Sequence, residues 1–135
     1  MTHPDSRTPV VKDEVVDLSV PADPAYLSVM RSATAGLGTH LNLTMDQIED
    51  LQIAVDEACA LLIAGRGHHD RSLATCFTVE KGLLTVRIDG PSPLRPSDGN
   101  FAWTMLHALN ATVSTGQNES GSWIVMTCRE QGVPA

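Results

Sequence analysis

The chain has no long apolar run: nothing in it approaches the roughly 20 consecutive apolar residues of a membrane-spanning helix. Met1 to Lys12 is polar and proline-bearing, without the apolar core of a signal peptide, so a cytoplasmic location is expected. Aromatic residues make up only 4% of the chain, which leaves Leu, Val, Ile, Ala and Met to fill the core. Cysteines are few and odd in number: Cys59, Cys76 and Cys128 lie far apart among apolar neighbours. That pattern excludes a disulfide framework or a zinc site and predicts buried free thiols. Basic residues are scarce as well, nine against sixteen acidic ones for a net charge of -7. Unspecific binding to nucleic acid needs a cationic face to displace counterions, so that class drops out, and a basic protein partner fits better.

What is present is enough for one core. Hydrophobic residues make up 42% of 135, which a single compact domain can bury. Residues 1–12 read as a disordered N-terminal tail, 13–130 as the domain, and 131–135 as a C-terminal tail. Val16, Leu18 and Val20 alternate as in a strand from Glu14. Asp23-Pro24 reads as a helix start, with Asp23 capping free N–H groups and Pro24 in the first helical position. Leu27, Met30, Leu37 and Leu41 follow at helical spacing, with Gly36 and Gly38 weakening the last turns. A second helix opens with capping-box spacing at Thr44 and Gln47, runs through Ile48, Leu51, Val55, Ala58 and Leu62, and breaks at Gly65 to Asp70. Leu73, Thr75, Phe77 and Val79 alternate, Lys81-Gly82 turns the chain, and Leu84, Val86 and Ile88 return. Beyond a proline-rich loop from Gly90 to Gly99, Phe101 to Leu109 is a short helix candidate. Thr112 to Thr115 and Trp123 to Cys128 read as strands joined by a polar turn, Gly116 to Gly121. The fold class expected is α/β in the α+β sense: a two-layer sandwich, its sheet mixed but mostly antiparallel, with helices on one face.

The stretch from Thr44-Met45-Asp46 to Ile53-Ala54-Val55-Asp56-Glu57-Ala58-Cys59 resembles the first helix motif of RsbW-type anti-sigma factors. These are serine kinases of the GHKL (Bergerat-fold, histidine-kinase-like ATPase) superfamily. Val16-Asp17-Leu18-Ser19-Val20-Pro21, with Tyr26 and Arg31, is similar to their opening strand and first helix. The resemblance implies the Bergerat fold, ATP and magnesium as cofactors, and a homodimer. The dimer holds a sigma factor away from RNA polymerase until a STAS-type antagonist competes for the same surface. The family motif Glu-x-x-x-Asn supplies a general base and, one helical turn on, a magnesium ligand. Here the base position is Glu57, but Leu61 stands where the Asn belongs, and a leucine has no lone pair for a hard cation. In the Asp-x-Gly-x-Gly motif the Asp reads adenine. The resemblance sets it on Asp89-Gly90-Pro91-Ser92-Pro93, making Asp89 the adenine reader with prolines in both glycine places. Of the phosphate-wrapping lid, only Gly99 remains.

The resemblance therefore implies a vestigial ATP site at Glu57, Asp89 and Gly99, and Arg31 as the partner contact on the first helix. The leading reading is an anti-sigma factor acting by sequestration. The alternative is an active serine kinase of the antagonist with Glu57 as base, and Leu61 separates the two. A third reading is a domain of this fold recruited into another signalling complex. The plainer readings are a solvated Glu57 and a surface Arg31. His68-His69-Asp70 reads as a solvated turn, since adjacent histidines point apart and no third metal ligand is spaced to join them. Trp103 and Trp123 read as core or sheet-covering residues. Ser92, Ser97 and Ser114 have no paired base for nucleophilic catalysis.

Overall fold

A computed structural model describes residues 14–65, 70–94 and 113–130. Its strands are β1 (Glu14–Pro21), β2 (Ser72–Glu80), β3 (Leu83–Gly90), β4 (Val113–Asn118) and β5 (Gly121–Arg129). Two helices, α1 (Leu27–His40) and α2 (Met45–Leu62), lie between β1 and β2 in sequence. The sheet order is β1-β2-β3-β5-β4, and every pairing is antiparallel. The expected tails, the helix candidate Phe101 to Leu109, Gly99, Ser97, Trp103 and His68-His69 lie outside the described residues.

The helix layer forms where the capping chemistry points. Asp23 accepts from the Ala25 N–H at 2.9 Å and opens a 3-10 turn over Pro24–Tyr26 that leads into α1. The α1 helix runs through both of its glycines to His40. In α2 the capping box is complete: Thr44 Oγ1 accepts from the Gln47 N–H at 3.1 Å, and the Gln47 side chain accepts from the Thr44 N–H at 2.9 Å. Ile48, Leu51, Val55, Ala58 and Leu62 are all buried. They pack on Leu73, Phe77, Leu84, Val86, Ile88, Ile124 and Met126, which line one face of the sheet. Lys81 and Gly82, with φ of 54° and 77°, make the two-residue turn between β2 and β3.

Two expectations need correction. The stretch Gly116 to Gly121 is not all turn: β4 continues to Asn118, and only Glu119-Ser120 separates it from β5. Gly116 pairs with Trp123, and a Cβ there would lie 2.2 Å from the indole ring. The glycine makes room for the tryptophan instead of ending the strand. Of the cysteines only Cys59 is fully buried, its thiol pushed up to about 12 by desolvation and then by nearby Asp56. Cys76 and Cys128 are half-buried.

Candidate functional site

The helix-covered face and the open face of the sheet divide the expected site residues between them. Glu57 and Leu61 stand one turn apart on α2, both half-buried, and Leu61 packs against the core. Asp89 lies elsewhere. Along β3 the side chains alternate, with Leu84, Val86 and Ile88 wholly buried toward the helices and Arg87 and Asp89 directed to the other side. There Asp89 accepts two hydrogen bonds from Arg87, Nε to Oδ1 at 2.8 Å and Nη2 to Oδ2 at 3.2 Å, and one from Asn118 Nδ2 at 3.4 Å. Arg87 in turn stacks over Trp123, its Cζ 4.9 Å from the ring centroid. The structure thus does not bring Glu57 and Asp89 together. A nucleotide whose phosphates reach a base in the helix layer cannot have its adenine read from the reverse of the sheet.

Strand alternation supplies a better match for the motif, shifted by one residue. The inward positions at the end of β3 are Ile88 and Gly90, with Ser92 following, so Asp-x-Gly-x-Gly falls on Ile88-Asp89-Gly90-Pro91-Ser92. Gly90 then keeps its glycine for a physical reason. A Cβ there would lie 2.6 Å from Leu62 Cβ and 2.7 Å from the Leu62 carbonyl oxygen, so only glycine lets the strand approach α2 this closely. Ser92 fastens the same junction: its N–H donates to the Leu62 carbonyl at 2.9 Å, and its hydroxyl donates to the Ala64 carbonyl. The adenine-reading place falls to Ile88, which is 0% exposed and aliphatic. Sequence reasoning fixed on the nearest carboxylate and missed this, although the alternation of Leu84, Val86 and Ile88 already put Asp89 on the other face.

ATP and magnesium therefore do not fit these residues. The motif place of a magnesium ligand holds Leu61 and that of an adenine reader holds Ile88, two hydrocarbons where a lone pair is required. The third expected residue of the set, Gly99, lies outside the described residues.

Arg31 sits where α1 meets α2. Its Nε lies 3.3 Å from Asp56 Oδ2, and Gln52 Nε2 donates to the Arg31 carbonyl at 3.1 Å. Burial raises the Asp56 carboxyl above its ordinary value, and the Arg31 charge works against that rise. A carboxyl raised in this way favours the fold most below its unfolded value of 3.8, and that contribution fades as pH climbs through the raised value. The ion pair offsets part of the cost of keeping Asp56 charged at neutral pH.

No helix among the described residues is long and apolar enough to cross a membrane. Residues 20–128 match the family model described as the histidine kinase-like ATPase domain. The serine-protein kinase RsbW of Bacillus subtilis is 41% identical over 84% of this chain and 84% of its own length. The anti-sigma-F factor RsbW of Mycobacterium tuberculosis is 30% identical over 74% of this chain and 60% of its own. Among solved structures, the histidine kinase domain of the Erythrobacter litoralis EL346 blue-light activated kinase superposes with a TM-score of 0.49 at 16% identity, covering 82% of this chain and 61% of that one. The family match spans most of the chain and the Bacillus relative most of both proteins: the chain belongs to the RsbW-type group of the histidine kinase-like ATPase family.

Proposed function

We propose that this chain is an anti-sigma factor that works by gripping its partner and has lost phosphoryl transfer. The observation that carries the reading is the pair Leu61 and Ile88. Both places that must hold lone pairs toward a nucleotide carry hydrocarbon instead, on a scaffold whose relatives are named for anti-sigma activity as well as for kinase activity. Binding, unlike phosphoryl transfer, requires neither place to be polar. In this reading the sigma factor is held at the α1–α2 surface beside Arg31, a STAS-type antagonist competes for that surface, and the protein acts in the cytoplasm.

The same reading includes a homodimer, and the open face of the sheet supports it. No layer covers that face among the described residues. It presents Val15, Ala74, Cys76, Trp123 and Val125, with a shallow depression of about 340 Å³ bounded by Asp17, Ser19, Ala74, Cys76, Arg87 and Asp89.

The test is capture from native cell extract with mass spectrometry of the bound proteins, followed by incubation with ATP, magnesium and any STAS protein recovered. A sigma factor among the captured proteins and no phosphate transferred is the expected result. Stoichiometric phosphorylation of the STAS protein, lost in Glu57→Ala, would establish the kinase instead.

A further inference from the structure

Arg31 is the single lysine or arginine between Pro24 and Gly65, in a layer whose second helix carries Asp46, Glu49, Asp50, Asp56 and Glu57. Of these carboxylates the structure sets Asp56 against it, Nε to Oδ2 at 3.3 Å. Arg31 Nε and Asp56 Oδ1 are both shut off from solvent, yet the Arg31 side chain as a whole is 42% exposed. The inner edge of the guanidinium is therefore enclosed, and its exposure belongs to the remainder. Nε meets Asp56 as an ion pair without a hydrogen bond, and a planar guanidinium packed in that way is left with its terminal edge, Nη1 and Nη2, the geometry that takes a carboxylate by two parallel bonds.

We propose that Asp56 is a positioning residue for partner capture, holding Arg31 so that its terminal edge meets a carboxylate of the sigma factor. The assignment rests on the anti-sigma reading above. Without Asp56 the arginine keeps its charge but must be ordered at the moment of binding, and that ordering appears as lost affinity. The other carboxylates of α2 repel further acids, so the partner segment that fits here carries one carboxylate in a stretch otherwise neutral or basic.

The test is a double-mutant cycle. The sigma factor recovered by capture is purified and titrated calorimetrically against wild type, Arg31→Ala, Asp56→Asn and the double variant, with thermal midpoints measured alongside. Arg31→Ala should weaken capture at least ~10-fold. Asp56→Asn should weaken it about three- to tenfold while staying folded. The double variant should bind no more weakly than Arg31→Ala alone, a non-additivity that a merely structural Asp56 does not produce. Wild-type affinity in Asp56→Asn, or losses that multiply in the double variant, overturns the role of Asp56 and leaves the Arg31 contact standing. Wild-type affinity in Arg31→Ala, or no sigma factor captured at all, removes the contact itself and the assignment with it. Should Asp56→Asn melt, Asp56→Glu takes its place in the cycle, keeping the charge one methylene further out, with the same non-additivity expected.

Discussion

The two faces of β3 carry opposite chemistry within eight residues. Toward the helices stand Leu84, Val86 and Ile88, each 0% exposed, and then Gly90, pressed against Leu62. Away from them stand Arg87 and Asp89, joined to each other, to Asn118 and to the Trp123 ring. One residue of register moves a side chain from one face to the other. A motif transferred by residue type alone can therefore land on the wrong side of the sheet, as it does when Asp89 is taken for the adenine reader. In the function proposed above, the comparison sets the lost nucleotide contacts on the inner face, at Ile88, and on the helix above it, at Leu61.

Ile88→Asp should break that comparison most severely. It restores the carboxylate that the shifted motif asks for, but in a position sealed by the core. Losing a buried isoleucine and burying a charge without a partner should cost more than ~4 kcal/mol, a large share of the roughly 5–15 kcal/mol that keeps a domain folded. Circular dichroism and thermal denaturation read this directly. A well-folded variant with a wild-type midpoint would mean that the inner face at this point opens onto space for a ligand, contrary to the packing described.

Gly90→Ala acts at the same end of the strand with a smaller effect. The added methyl meets Leu62 backbone and side chain at 2.6–2.7 Å, so β3 must draw away from α2 and strain the Ser92 bonds to the helix terminus. Overpacking of this kind costs about 1–3 kcal/mol, visible as a lowered urea midpoint. An unchanged midpoint would show that the strand–helix junction yields freely, and the account of why Gly90 is glycine would fall.

Much of this architecture was legible from the sequence, because its determinants are local. The Thr44–Gln47 capping box, the Lys81-Gly82 turn and the apolar stripe of α2 each need only a few neighbouring residues to specify them. The first half of strand β4 was legible, but its continuation through Gly116 to Asn118 was not. Val113–Asn118 is short and mostly polar, and what holds Gly116 in a strand is Trp123 across the ladder, a contact no local window contains. The Arg31–Asp56 pair was hidden in the same way. The arginine stood out on α1, but its partner on α2 becomes a neighbour only when the two helices pack.

The smallest effect belongs to Asp89→Ala, and it sharpens the comparison most. If Asp89 belonged to a nucleotide site on the helix side, its removal would cut whatever affinity for ATP the protein has, with little cost in stability. On the open face the expectation differs. The carboxylate is 34% exposed and its Arg87 partner 47%, so screening by solvent leaves their pairing worth no more than ~1 kcal/mol. Arg87 keeps its stacking on Trp123 when the carboxylate is gone, which limits the loss further. The thermal midpoint should fall by at most a few degrees for a domain of this size. ATP titrated against wild type and variant should give superimposable curves, whatever their common affinity. A variant that loses nucleotide binding while keeping its midpoint would return Asp89 to the site and overturn the shifted motif. A loss well beyond ~2 kcal/mol would instead show that the Asp89 cluster is part of what holds β3 and β4 in place across the intervening β5.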